Sequence, residues 1–306
     1  MLERATRALV GIVGLGLMGE VYAQRLIDAK FPVVGFDIDP ARRNRLAEIG
    51  GSPVSSVAGL AHPSHCIIVA VFNTEQVADV IENEMLPALG DGSGKIVLCM
   101  STCDPDRVAA LAQRVIPRGI RYLDVPVSGT SDQVRRGDGV ALIGGDTAIA
   151  DETKEILDAL FARRFHVGQV GDGGRAKLAV NLVLGLNRLA LAEGLVFAEC
   201  LGLDPAAFLD VARGSASYSQ VMDTKGSKMV RGDFSAEGRV RQTLKDAHLM
   251  LDQAAAAGQT LSALELHAEI LEACVRAGEA DLDNSAIIKE VRRRSGKPDG
   301  NGGAGR

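Results

Sequence analysis

Three glycines near the start of the chain constrain its fold more than any other feature of the sequence. Gly14, Gly16 and Gly19 form the pattern Gly-x-Gly-x-x-Gly, which closes an apolar run at 9–15 and opens a segment of helical periodicity at 17–29. In a strand–turn–helix unit the first glycine allows the tight turn, the second lets a pyrophosphate approach the backbone, and the third lets helix and strand pack closely. The pattern therefore predicts a dinucleotide-binding turn at a helix N-terminus rather than a glycine-rich turn that merely packs. The predicted contact residues are Gly14, Gly16, Leu17, Met18 and Gly19.

An acidic residue at the end of the next apolar run indicates which dinucleotide binds. Asp37 closes the run at 32–37 and is expected to accept hydrogen bonds from the adenosine ribose hydroxyls. A 2′-phosphate at that place would meet a like charge, so NAD is favoured over NADP. The alternative stays open because Arg42 and Arg43 follow closely and could clamp a phosphate if Asp37 turned away.

Residues 8–167 alternate between short apolar runs and amphipathic segments. The predicted strands are 9–15, 32–37, 66–71, 95–100, 121–125, 140–145 and 164–168, and the predicted helices are 17–29, 75–83, 104–116 and 147–161. Strands that alternate with helices in this way predict a parallel sheet with helices on both faces.

The pattern changes after about residue 170, and the sequence shows no convincing strand from 174 to 294. The predicted helices of this part are 172–201, 205–213, 239–257, 260–278 and 284–294. The fold class is therefore α/β, a Rossmann-type doubly wound sheet followed by an all-helical C-terminal domain. The predicted divisions are 1–169, 170–295 and a glycine-rich, disordered tail at 296–306.

Composition argues against several other functions. The net charge is −5, with 34 basic and 39 acidic residues that form no block of one sign, and Trp is absent, so neither a nucleic acid nor a membrane surface is an expected partner. The most apolar helical segment, 178–192, contains Asn181, Asn187 and Arg188 and is not expected to span a membrane. The five scattered cysteines favour the cytoplasm, and neither cysteines nor histidines cluster at metal-ligand spacing, so no metal is predicted.

Four blocks, in order, resemble the beta-hydroxyacid dehydrogenase family, which includes 3-hydroxyisobutyrate dehydrogenases and tartronate semialdehyde reductases. They are VGIVGLGLMGEVYAQRL at 10–26, DVPVSGT at 124–130, GDGGRAKLAVN at 171–181 and the Lys-Asp pair at 245–246. The resemblance covers about residues 8–260 and implies hydride transfer between a nicotinamide cofactor and a small 3-hydroxy acid. It also implies a homodimer or homotetramer.

The resemblance further implies roles for single residues. Lys177 would be the catalytic residue, and Asn181 would hold or orient the substrate. The residues that would hold the substrate carboxylate are Ser128, Gly129 and Thr130. The further residues that would lie beside the cofactor are Asn73, Ser101, Thr102 and Lys245.

The chemistry of Lys177 and Asn181 agrees with those roles. Their spacing of i and i+4 places both side chains on one face of a helix. Oxidising an alcohol needs a group that accepts the hydroxyl proton, and reducing a carbonyl needs a donor in the same place, so one lysine can serve both directions. A lysine has a pKa near 10.4, which burial or a neighbouring cation such as Arg175 or Lys245 would have to lower.

The substrate stays open because the chain departs from the family around the substrate-binding blocks. Thr130 stands where members commonly have a second glycine, Arg135 and Arg136 follow in a stretch that is usually less charged, and Gly238 and Gln242 replace residues that are more often apolar. The two arginines could meet a phosphate or sulfonate, so a reductase of a phosphorylated, sulfonated or imine substrate is an alternative. A non-catalytic cofactor-binding module is another.

Overall fold

The computed structural model describes residues 7–296. The chain divides into two compact units, Met1–Lys177 and Leu178–Arg306. Apart from Gly296, the predicted tail at 296–306 lies outside the described residues.

A nine-stranded sheet organises the first unit. Its strands are β1 (Val10–Val13), β2 (Val33–Phe36), β3 (Ser52–Pro53), β4 (Cys66–Val69), β5 (Ile96–Cys99), β6 (Arg121–Asp124), β7 (Val127–Ser128), β8 (Val140–Gly145) and β9 (Arg163–Gly168). They follow the order β3-β2-β1-β4-β5-β6-β8-β7, with β9 on the other side of β8. All residues of β1, β4 and β5 are buried, because apolar clusters cover both faces of the sheet. The predicted Rossmann-type fold is confirmed.

The prediction of a parallel sheet is wrong for the direction of β8. β8 runs antiparallel to both β6 and β7, whereas β9 runs parallel to β8. β7 follows β6 after only Val125 and Pro126, and the short helix after β7 leads the chain back alongside both strands. The reversal leaves no sign in the burial pattern, because β8 is as buried as a central parallel strand.

Helices flank the sheet of the first unit. They are α1 (Leu17–Asp28), α2 (Pro40–Glu48), α3 (Val57–Ala61), α4 (Thr74–Asp79), α5 (Leu86–Leu89), α6 (Pro105–Val115), α7 (Ser131–Arg136), α8 (Thr147–Glu152) and α9 (Lys154–Leu160). A π-helical segment, Val80–Met85, joins α4 to α5, so the predicted helix 75–83 extends further than its periodicity indicates. The helix predicted at 147–161 is divided at Thr153, whose hydroxyl donates to the carbonyl oxygen of Ile149 at 2.8 Å.

The second unit, as far as it is described, contains helices and no strand. They are α10 (Asp172–Cys200), which begins in the first unit, α11 (Pro205–Arg213), α12 (Ser227–Arg231), α13 (Val240–Ala256), α14 (Ser262–Arg276) and α15 (Ile287–Arg294). A π-helical segment, Met222–Gly226, precedes α12. One apolar cluster fills the unit, and it includes Leu195, Met229 and Leu271. The all-helical prediction is confirmed.

The helix α10 is long and apolar enough to cross a membrane by length and composition, with a mean hydropathy of 1.4 in its most apolar window and 39% of that window buried. Core helices of other proteins pass the same test. The expectation that this helix does not span a membrane rests on its polar residues and stays a prediction.

Candidate functional site

The glycine turn after β1 has the geometry that its sequence predicts. Gly14 has a φ of +91°, and a Cβ there would overlap the carbonyl oxygen of Ala70. A Cβ on Gly19 would overlap the carbonyl oxygen of Gly14, so helix and turn pack without room for a side chain. A Cβ on Gly16 would meet nothing nearer than Arg42 Nη1 at 3.8 Å. Gly16 is also the N-cap of α1, which no side chain caps, so the backbone there fits the approach of a phosphate.

Asp37 lies directly after β2 and is 5% exposed. Its Oδ2 accepts hydrogen bonds from the Leu15 N–H at 2.8 Å and from Arg42 Nη1 at 3.2 Å, and its Oδ1 accepts one from the Asp39 N–H at 2.9 Å. The carboxylate is therefore fixed against the glycine turn, as a ribose acceptor would be. The Arg43 guanidinium donates to the Asp37 carbonyl oxygen, which leaves Arg42 as the cation beside the carboxylate.

Asn73, Ser101 and Thr102 follow the neighbouring strands β4 and β5. Since β1, β4 and β5 are parallel, these residues and the glycine turn lie at the same edge of the sheet, where ligands of open α/β sheets bind. Asn73 Oδ1 caps α4 by accepting from the Gln76 N–H at 2.9 Å. The Ser101 hydroxyl accepts from the Val71 N–H at 3.0 Å and lies 2.9 Å from the Val71 carbonyl oxygen. Both side chains therefore shape the loops at this edge.

The segment predicted to hold the substrate carboxylate connects β7 to α7. Ser128 ends β7, and Gly129 has a φ of +140°. Thr130 caps α7: its N–H donates to Gln133 Oε1 at 2.9 Å, and its hydroxyl oxygen accepts from the Gln133 N–H at 3.2 Å. The Thr130 N–H is thus used by the helix cap, and its hydroxyl hydrogen is the donor that a ligand could meet.

The arginines that follow this segment are balanced by carboxylates. Arg135 pairs with Asp132, and Arg136 lies 3.9 Å from Asp132 and 3.6 Å from Asp138. Both arginine side chains are more than half exposed. The positive charge of this segment is therefore partly balanced by neighbouring carboxylates.

Lys177 lies in the second turn of α10 and is 7% exposed. Arg175, which the sequence offered as a cation beside it, pairs with Asp172 at 2.8 Å and with Asp106 at 2.5 Å, so its charge is balanced twice. Asp124 is the first residue of the block at 124–130, and the sequence assigned it no role of its own. Its carboxylate reaches the same helix, where Oδ2 accepts from the Gly174 N–H at 2.8 Å. Burial raises the pKa of Asp124 to about 6, against the opposing effect of this backbone hydrogen bond.

Asn181 and Lys245 meet through Asp246 in the second unit. Asn181 Nδ2 donates to Asp246 Oδ2 at 3.0 Å, and Lys245 Nζ lies 3.2 Å from Asp246 Oδ1. Asp246 is 8% exposed, so it is not the helix-surface charge that its position in a polar helix would suggest. Its signal in the sequence was its place directly after Lys245. Among the described residues, no group of three or more histidine, cysteine or acidic side chains could hold a metal ion.

Two family models match the chain. Residues 9–168 match the NAD binding domain of 6-phosphogluconate dehydrogenase, and residues 171–291 match the model described as NAD-binding of NADP-dependent 3-hydroxyisobutyrate dehydrogenase. Over 282 residues the chain is 29% identical to 2-hydroxy-3-oxopropionate reductase of Escherichia coli (strain K12), covering 92% of this chain and 96% of that protein. Over 281 residues it is 28% identical to L-threonate dehydrogenase of Cupriavidus necator, covering 92% and 95%. The crystal structure of 3-hydroxyisobutyrate dehydrogenase from Salmonella typhimurium is similar with a TM-score of 0.84 and 26% identity, covering 92% and 99%.

Proposed function

We propose a specific reaction for this chain, which belongs to the beta-hydroxyacid dehydrogenase family: hydride transfer between NAD and a small 3-hydroxy acid, with Lys177 as the general acid and base. Family membership makes the chain an NAD(P)-dependent enzyme that acts on the CH–OH group of a hydroxy acid. The preference for NAD, the substrate and the role of Lys177 are our proposal.

The burial of Lys177 carries the proposal. A lysine on a helix is usually solvated, whereas this one is 7% exposed at the start of a long apolar helix. Burying an ammonium costs desolvation free energy, so a buried lysine is a candidate for function. Asn181 follows at i+4 on the same helix, and its amide is fixed by the buried carboxylate of Asp246.

These residues divide the work of the reaction. The bound nicotinamide would accept the hydride from the carbinol carbon, or donate one to the carbonyl carbon. Lys177 Nζ would take the hydroxyl proton during oxidation and return it during reduction. Asn181 would orient the reacting oxygen through its amide, and Ser128 and the Gly129 N–H would bind the substrate carboxylate.

The position of Asp37 supports NAD as the cofactor. Its carboxylate lies beside the glycine turn, where a 2′-phosphate would be repelled. Arg42 leaves NADP open as the alternative cofactor, because its guanidinium is 45% exposed and could pair with the 2′-phosphate. Parallel assays with NAD and NADP decide the point, and a kcat/KM at least as high with NADP would contradict it.

The relatives support a small hydroxy acid. Their names specify 2-hydroxy-3-oxopropionate reduction and L-threonate oxidation. A panel of 3-hydroxyisobutyrate, serine, glycerate, threonate and a phosphorylated sugar acid would identify the substrate. We expect activity on a simple carboxylate to exceed activity on the phosphorylated compound, because Arg135 and Arg136 are already paired.

Replacing Lys177 tests the mechanism. We expect Lys177→Met to lower kcat by about 10²- to 10⁴-fold, the usual contribution of a general acid or base, while NADH binding measured by fluorescence is kept. Lys154→Met is the matched control, because Lys154 is 62% exposed and pairs with Asp158 on α9. Wild-type turnover by Lys177→Met would refute the role of Lys177. NAD binding by the wild type without turnover on the panel would favour a non-catalytic module.

We also propose that the enzyme is a homodimer or homotetramer. Apolar side chains on α10 and just after it have large exposed fractions, with Val183 at 58%, Phe197 at 64% and Leu201 at 61%. Light scattering after size exclusion tests this, with Phe197→Asp expected to weaken assembly and Phe165→Asp, an exposed phenylalanine of β9, as its control. An unassociated wild-type chain would contradict the proposal.

We place the enzyme in the cytoplasm, because its five cysteines are free thiols and such thiols persist in a reducing compartment. Cell fractionation tests this placement, and recovery of the protein in an oxidising compartment would contradict it.

A further inference from the structure

We propose that Asp124 is a positioning residue of the reaction: its carboxylate, seated between Gly144 and Gly173, fixes the first turn of α10 and through it the position of Lys177. The inference rests on the proposed role of Lys177. It extends the catalytic machinery to a residue of the sheet that need not touch the substrate or the cofactor.

The carboxylate lies in a space that two glycines leave open. Asp124 ends β6 and is 3% exposed. A Cβ on Gly173 would lie 2.7 Å from Asp124 Oδ2. A Cβ on Gly144, which is the partner of Asp124 across the β6–β8 pair, would overlap Oδ1. A side chain at either position would overlap both the carboxylate and neighbouring backbone atoms, so this packing requires both glycines.

The first turn of α10 depends on this carboxylate for its cap. Asp124 Oδ2 accepts from the Gly174 N–H at 2.8 Å, and that N–H is one of the groups that a helix cannot satisfy within itself. The acid of the helix's own first turn serves elsewhere, because Asp172 Oδ2 accepts from the Gln169 N–H at 2.9 Å and Asp172 Oδ1 accepts from Arg175. A carboxylate at a helix N-terminus is also stabilised by the helix dipole.

The anchored N–H lies in the first turn of α10, and Lys177 lies in the next turn. Lys177 follows Gly174 by three residues. The hydrogen bond from the Gly174 N–H to Asp124 therefore connects the backbone just before the lysine to the buried strand β6. Glycines at 171, 173 and 174 leave this stretch of backbone free to move when the anchor is lost. A displacement of about 1 Å in a reacting group can cost about 100-fold in rate.

The test compares Asp124→Ala and Asp124→Asn with a matched control. The Asn variant keeps an oxygen that can accept from the Gly174 N–H, whereas the Ala variant removes it. Asp146→Ala is the control, because Asp146 caps α8 in the same unit by accepting from the Ala148 N–H at 2.8 Å. We expect Asp124→Ala to lower kcat by about 10- to 100-fold with the NADH dissociation constant unchanged. Asp124→Asn should recover most of that loss, and Asp146→Ala should leave kcat unchanged.

Two further readouts separate positioning from a general structural role. In a Lys177→Met background, Asp124→Ala should cost less than about twofold, because a residue that acts through Lys177 has no effect once the lysine is gone. Hydrogen exchange of the peptide that begins α10 needs no activity, and it should rise in Asp124→Ala while it stays near the wild-type value in Asp124→Asn. Equal losses of kcat in both backgrounds, unchanged exchange, or no rescue by Asn would each overturn the proposal. Wild-type turnover by Lys177→Met alone would instead refute the proposed function.

Discussion

Replacing His267 by leucine should remove a pH dependence from the stability of the helical unit. His267 lies on α14 and is 1% exposed, and neither ring nitrogen has a hydrogen-bond partner among the described residues. The ring fills the space beside α10, where a Cβ on Gly185 would lie 2.8 Å from His267 Cε1. Burial, with a smaller effect from the charge of Arg188, lowers the pKa of His267 to about 4.

The sign and size of the effect follow from this depressed pKa. Between pH 6.5 and pH 4, the unfolded chain binds a proton on His267 that the folded chain does not bind. The free energy of unfolding therefore falls as the pH falls through this window, and the full effect is about 3 kcal/mol, reached near pH 4. Above pH 6.5 both states hold the neutral ring and the effect is absent. Leucine should also leave stability at pH 7 unchanged or higher, because it removes two unpaired polar atoms.

Urea unfolding followed by circular dichroism at pH 7, 5.5 and 4.5 measures the effect as the difference between wild type and His267→Leu. The difference isolates His267, because Asp124, whose pKa is raised to about 6, contributes with the opposite sign in both proteins. His248→Leu is the control for loss of a histidine from the same unit, since His248 is 52% exposed. Parallel pH profiles for wild type and His267→Leu would refute the reasoning.

Two further predictions concern the site. Gly19→Ala should weaken NADH binding at least about tenfold, because the added Cβ would overlap the Gly14 carbonyl oxygen. Fluorescence titration measures the NADH affinity, and Gly59→Ala is the control. Unchanged affinity would count against the turn as the cofactor site. Asp246→Ala should lower kcat/KM about tenfold, because it removes one charge-assisted hydrogen bond to Asn181. Steady-state kinetics measures this value, and Asp252→Ala is the control because Asp252 is exposed. Equal values of kcat/KM for the two variants would contradict the prediction.

Much of the fold was predictable from the sequence because its strands are buried on both faces. Continuous apolar runs identify β1, β4 and β5 to within one or two residues, since no polar face interrupts them. The helix α2 escaped prediction because Leu46 is its one buried residue and its charged remainder has no apolar stripe. The direction of β8 also escaped, because a buried strand has the same hydrophobic pattern whichever way it runs.

The candidate site, like the fold, could be predicted from the sequence only in part. The glycine turn and Asp37 could be predicted because their roles follow from backbone conformation and from spacing along one short unit. Contacts that join distant positions could not, since spacing does not specify which N–H a carboxylate will reach. Asp124 and Gly174 are 50 residues apart, and Asn181 and Asp246 are 65 apart. Thr130 shows the converse case, in which a residue assigned to the substrate also serves as a helix cap.

These long-range contacts have a common physical form. On α10, Lys177 follows a turn held by the buried carboxylate of Asp124, and Asn181 is held by the buried carboxylate of Asp246. In each case, burying the carboxylate costs desolvation free energy. The hydrogen bond that the carboxylate accepts offsets part of this free energy only while the helix keeps its position. In the proposed mechanism α10 presents two side chains four residues apart, and their positions gain precision when each is fixed by its own buried acid. Variation at either acid should therefore change turnover more than it changes the affinity for the cofactor, whose predicted glycine turn lies between β1 and α1.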